Sequence, residues 1–170
     1  FAAPTGRYSP VPLTCATPGG LPFAWHPGYA SYLTRENFTS QLPLAHKLIS
    51  ELKALESRGL TIRVVLVPSS LQVLENDLDF AAMDPASPMA TELPRIAAAL
   101  DEVRQGAVDI FTKAGLEVLD TTGVLRASPE RCAYFQPADT HCTAEGYRAI
   151  GAAIAERWPD LGREGPAKTN

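Results

Sequence analysis

The chain has 170 residues, 45% of them hydrophobic and 20% charged, which suits one globular domain with a core of its own. Its formal net charge is -4, and no basic stripe breaks that balance, so nucleic acid is excluded as an expected partner. The longest apolar runs, such as Ile96 to Leu100, are too short to span a bilayer, and a soluble domain without a transmembrane segment is expected.

Residues 1–31 read as an extended arm. Pro4, Pro10, Pro12, Pro18, Pro22 and Pro27 alternate with Gly19, Gly20 and Gly28, a composition that forbids regular helix and central strand. Tyr8, Phe23, Trp25 and Tyr29 give the arm aromatic surface to lay on the domain or on a protein partner. The first residues, Phe1-Ala2-Ala3-Pro4, fit a processed mature N-terminus or a trimmed chain equally well. No apolar stretch precedes Cys15, so a lipoprotein signal is not read there.

The domain itself is expected over 32–160, with a flexible tail over 161–170. The first helix is predicted from about Ser40 to Arg58, with Ser40 as N-cap, Pro43 in the first turn and Gly59 as the stop. Leu44, Leu48, Ile49, Leu52 and Leu55 recur at helical spacing and predict its buried face. His46 falls off that face and reads as a solvated histidine. Thr61 to Val67 is β-branched and nearly continuously apolar, the pattern of a buried parallel strand closed by Pro68. Residues 75–90, with Glu75, Asp77, Asp79 and Asp84, read as an acidic surface excursion.

A second helix is predicted from Thr91 to Gly115, with Gly106 as a possible break. Leu116 to Asp120 reads as a short strand. A loop containing Pro129 and Pro137 then leads to Asp139-Thr140-His141. The last helix is predicted from its N-cap, Thr143, to Trp158, with Tyr147, Ile150, Ile154 and Trp158 toward the core. Strands separated by helices predict an α/β fold, with a small parallel sheet flanked by helices.

Chemistry concentrates in the loop before the last helix. An Asp two residues before a His can fix the imidazole tautomer, leaving the other ring nitrogen to take a proton from a hydroxyl. Asp139 and His141 are therefore the candidate acid–base pair. Ser69 and Ser70, at the end of the first strand, are the internal candidates for a nucleophile, because ligands gather at strand C-terminal ends. Their competing reading is as ordinary turn serines after Pro68. The three cysteines, Cys15, Cys132 and Cys142, lack the CxxC spacing of a zinc site. Cys132 and Cys142 bracket the loop, and either a disulfide between them or three free thiols fits the spacing. No cofactor or metal motif is read.

The segment Asp139-Thr140-His141-Cys142-Thr143-Ala144-Glu145-Gly146 resembles the Asp-Thr-His-Trp-Thr-Pro-Glu-Gly motif of SGNH hydrolase-like acetyltransferases of the alginate-acetylation type (the AlgX/AlgJ and DHHW-like families). The order of elements over residues 32–158 is similar as well. Cys142 stands where that family has an aromatic, and Ala144 where it has Pro. The family's Gly-Asp-Ser nucleophile block is absent from this chain. The resemblance implies an SGNH-like, flavodoxin-like three-layer fold, a periplasmic or extracellular location, and a carbohydrate substrate. Two functions follow as expectations. One is a non-catalytic or accessory domain acting as a structural subunit of an envelope assembly through its N-terminal arm. The other is an O-acetyltransferase or acetylesterase, with its serine supplied by Ser69 or Ser70, by missing sequence or by another chain.

Overall fold

The computed structural model describes residues 9–11, 14–15, 23–25, 34–87, 89–137 and 141–161. In chain order these form β1 (Ser9–Val11), β2 (Phe23–Trp25), α1 (Arg35–Glu56), β3 (Arg63–Leu66), α2 (Ser70–Leu74), α3 (Met89–Lys113), β4 (Glu117–Asp120), α4 (Thr122–Ala127) and α5 (Ala144–Arg157). Single 3-10 turns occupy Glu75–Asp77, Phe80–Ala82 and Arg131–Tyr134. The fold is mixed α/β, mostly helical, as the alternation of elements predicts.

β3 and β4 pair in parallel, with Arg63 opposite Glu117 and Leu66 opposite Asp120. The connection between them carries α3, the long crossover a parallel pair requires. Arg63 stacks on the Trp158 ring at 5.4 Å, just beyond α5. Asp120 is paired instead with Arg104 of α3. Arg63 and Leu66 are three residues apart on one strand and so point to opposite faces. Asp120 shares the face of Leu66, so α3 and the end of α5 approach the pair from opposite sides. The strands are half-buried rather than sealed, as expected of a ladder with only two strands described.

The core is built mainly from segments the sequence pattern underrates. Leu71, Val73 and Leu74 of α2 pack with Leu93, Ile96 and Leu100 of α3, and with Leu125, Phe135 and Ile150. The acidic stretch 75–90 is not a surface excursion. Leu78, Met83 and Met89 enter the core, and Asp77 is itself buried. Arg126 of α4 ties three elements together. It donates to the Gln72 carbonyl at 2.6 Å and to Glu75 at 2.8 Å, and lies 3.0 Å from Asp101 of α3.

Three expected boundaries or faces shift. α1 begins six residues earlier than Ser40 would place it, because Thr34 is the N-cap and accepts from the Asn37 amide at 3.2 Å. Pro43 then lies inside the helix. Of the expected α1 face only Ile49 is buried, while Leu44 and Leu48 are exposed. Tyr147 of α5 is also exposed, though Ile150 and Trp158 face inward as predicted. Gly106 does not break α3. A side chain there would meet the Phe38 ring of α1 at 2.9 Å, so its smallness lets the two helices approach.

Two short stretches of the N-terminal arm pair with each other. β1 and β2 are antiparallel, with Ser9 opposite Trp25 and Val11 opposite Phe23. The expected Cys132–Cys142 bridge is not formed. Cys132 is bonded to Cys15, with Cα atoms 6.3 Å apart, and Cys142 is a buried free thiol. The physical reason is local. Cys142 bridges Phe135 as an extended residue, and its Cβ lies against Gly146 at the start of α5. Its side chain is thereby packed onto α5, and Cys132 is met by the arm instead. The other arm residues and the tail 162–170 lie outside the described residues.

Candidate functional site

Because β3 and β4 are parallel, both C-terminal ends lie along one edge. Thr121 locks them together, donating to the Leu66 carbonyl from its amide at 3.2 Å and from its hydroxyl at 2.9 Å. Asp120 accepts from the Thr122 amide at 3.0 Å and hydroxyl at 2.6 Å, and from Arg104. Burial pushes the Asp120 carboxyl up. The Thr122 hydrogen bonds and the Arg104 guanidinium outweigh it and hold the carboxyl below its ordinary value. A depressed value means that this stabilisation is present above the unfolded pKa and is lost as pH falls through the folded one. Asp120 is thus an ionised structural acid with both carboxylate oxygens engaged.

The two serines at this edge have separate fates. Ser69 caps α2. Its hydroxyl accepts from the Gln72 amide at 3.3 Å, and its own amide donates to the Gln72 side chain at 2.8 Å. That reciprocal pair is a capping box, and it occupies the hydroxyl in holding the helix start. Ser70 follows as the first helical residue. It is 0% exposed, and its Oγ has no hydrogen-bond partner among the described residues.

The loop before α5 is pinned at its base. Phe135 and Cys142 form an antiparallel bridge, and the Gln136 amide donates to the His141 carbonyl at 3.2 Å. The Thr143 amide donates to the Tyr134 carbonyl at 2.8 Å and its hydroxyl to the Ala133 carbonyl at 2.7 Å. The same Thr143 hydroxyl accepts from the Gly146 amide and caps α5. Gly146 sits directly over the Tyr134 carbonyl, where a Cβ would clash. His141 is exposed at the mouth of this loop. Its expected partner Asp139, with Thr140, lies outside the described residues.

Surface depressions among the described residues include one between α1 and α3, one beside Leu119 and Val124, and one around Phe80 and Pro94. None of these takes in Ser69, Ser70 or His141. Among the described residues, no helix is long and apolar enough to cross a membrane.

One cluster escapes a reading by spacing. Arg131 grips both carboxylate oxygens of the buried Asp77, from Nε at 2.6 Å and from the terminal nitrogen at 2.6 Å. The Asp77 carbonyl accepts from the Thr14 amide at 2.8 Å, beside the Cys15–Cys132 bridge. Three segments far apart in the chain converge here. In the local sequence Asp77 follows Glu75 and Asn76 and reads as one more surface acid. No protein-family model, curated protein or solved structure matches the chain.

Proposed function

We propose that this domain is a non-catalytic relative of SGNH hydrolase-like proteins, retained as an accessory, structural subunit of an exported assembly. The observation that carries this reading is the state of the two serines. One is spent on a helix cap, and the other is sealed from solvent with no hydrogen-bond partner for its hydroxyl among the described residues. A nucleophilic serine needs a base within hydrogen-bond reach and access to substrate. The disulfide agrees with an oxidising, exported setting. The arm that would meet a partner is fastened to the domain at Cys15.

A second reading keeps the chemistry. His141 is exposed at the loop mouth, accessible to a serine brought by another polypeptide. The domain would then supply the base of a composite acetyl-transfer site acting on carbohydrate.

One assay separates the non-catalytic reading from catalysis by this chain's own serines. The chain alone is expected to hydrolyse neither aryl acetates nor acetylated sugars above the uncatalysed rate. Turnover that disappears in both His141→Ala and either Ser69→Ala or Ser70→Ala would overturn the non-catalytic reading. Removal of residues 1–13 is expected to weaken the native assembly while leaving the helical circular dichroism intact.

A further inference from the structure

We propose that Cys15, Cys132 and Asp77 form a redox-gated site for a thiophilic divalent cation of the Zn2+ class. The sulfur atoms and a carboxylate oxygen all lie within 4.8 Å of one another, and Asp77 and Cys132 are buried. Tetrahedral zinc takes Cys sulfur at about 2.3 Å and carboxylate oxygen at about 2.0–2.2 Å, which sets ligand atoms roughly 3.5–3.8 Å apart. The three side chains therefore need only small rotations to close on an ion once the sulfurs are free. Three protein ligands leave a fourth position for water.

The surroundings suit the cation in spite of Arg131. Two thiolates, one carboxylate, one guanidinium and one divalent cation sum to zero charge. Each Asp77 oxygen accepts one bond from Arg131, and a carboxylate oxygen has a second lone pair to offer. Arg131 then orients the ligand carboxylate from behind, as outer partners of metal ligands do. The Thr14 and Asp77 backbones are bonded to each other, so Cys15 stays beside the site when its covalent link is broken. The cysteine spacing hides all this, because the ligands come from the arm, the 75–77 turn and the 131–134 turn.

The chemistry balances with a thiol as reductant and a disulfide as oxidant. A thiol reductant gives two electrons and two protons to the Cys15–Cys132 bond, which breaks to two thiols as the reductant becomes a disulfide. The cation then forms two metal–sulfur bonds and expels the two thiol protons. A disulfide oxidant then takes two electrons from the two thiolates and leaves as two thiols with two protons from solvent, which re-forms the Cys15–Cys132 bond and releases the cation. The arm is held in both states, by a covalent bond in one and by the ion in the other.

The test is a Co2+ titration of the full chain after phosphine reduction, followed by the thiolate-to-cobalt charge-transfer band. One equivalent is expected to bind, Zn2+ is expected to displace it, and the oxidised chain is expected to bind none. Cys15→Ser and Cys132→Ser should each abolish the band. Asp77→Asn should weaken binding at least tenfold, and Cys142→Ser should leave it unchanged. The absence of a band in reduced chain that keeps its helical circular dichroism would overturn the proposal, as would a band that survives Cys15→Ser. If reduction unfolds the chain, Zn2+ should restore the helical signal in the parent and not in Cys15→Ser. Failure to restore it would equally overturn the proposal.

Discussion

Cys15→Ser, studied in chelator, should lower the free energy of unfolding by about 4–5 kcal/mol, the chain-entropy value for a closed loop of on the order of 100 residues. The bridge joins residues 117 apart, so its loss releases nearly the whole domain from constraint in the unfolded state. Because the effect acts there, the urea dependence should steepen as the midpoint falls. The control is Cys142→Ala. That thiol is buried but unbridged, and trimming it should cost only about 1 kcal/mol. A reversal of the two effects would restore the pairing that the loop spacing invites, Cys132 with Cys142. Equal small effects would mean that no bridge stabilises the fold.

Arg131→Ala should cost about 3 kcal/mol, at the lower end for breaking a buried pair by removing one partner. Arg131 is itself 31% exposed, which tempers the loss, but the Asp77 side chain is only 5% exposed and would be left without that partner. The cost comes from that stranded carboxylate more than from the pair. The double variant Asp77→Asn with Arg131→Leu should therefore recover much of the loss, measured by urea melts of all three forms. A double variant as unstable as Arg131→Ala would show that the pair's geometry matters more than its charge. An Arg131→Ala variant within about 0.5 kcal/mol of the parent would place this ion pair with ordinary surface pairs.

The parts of the fold that were legible in the sequence are those with strong local patterns. Thr61 to Val67 is β-branched and apolar and stops at Pro68, and a long helix between two strands favours a parallel pair. Thr143 and Trp158 mark α5 at both ends, and the structure uses both as caps. α2 and α4 have five and six residues, too few for apolar periodicity to show. The Ser69-to-Gln72 spacing was a readable sign of the α2 start, and it also argued for a capping serine over a nucleophilic one. Charge misled twice. The acidic residues of 75–90 concealed Leu78 and Met83, which are core residues, and Asp77 looked solvated because its partner Arg131 lies 54 positions away. In α1 the leucine spacing was genuine, but a pattern states which residues share a face and not what covers it, and Leu44 and Leu48 remain exposed.

The candidate site divides along the same line. The loop and its His141 could be located from a short motif, because the bonds that close the loop are local: Thr143 to Ala133 and Tyr134, and Cys142 to Phe135. The availability of Ser70 could not be read that way, since its burial depends on packing among distant elements.

Labelling with a fluorophosphonate, which forms an adduct only with an activated serine, tests the non-catalytic reading most directly. After prolonged incubation the intact mass should be unchanged. An adduct mapped to Ser69 or Ser70, and lost in His141→Ala, would contradict it.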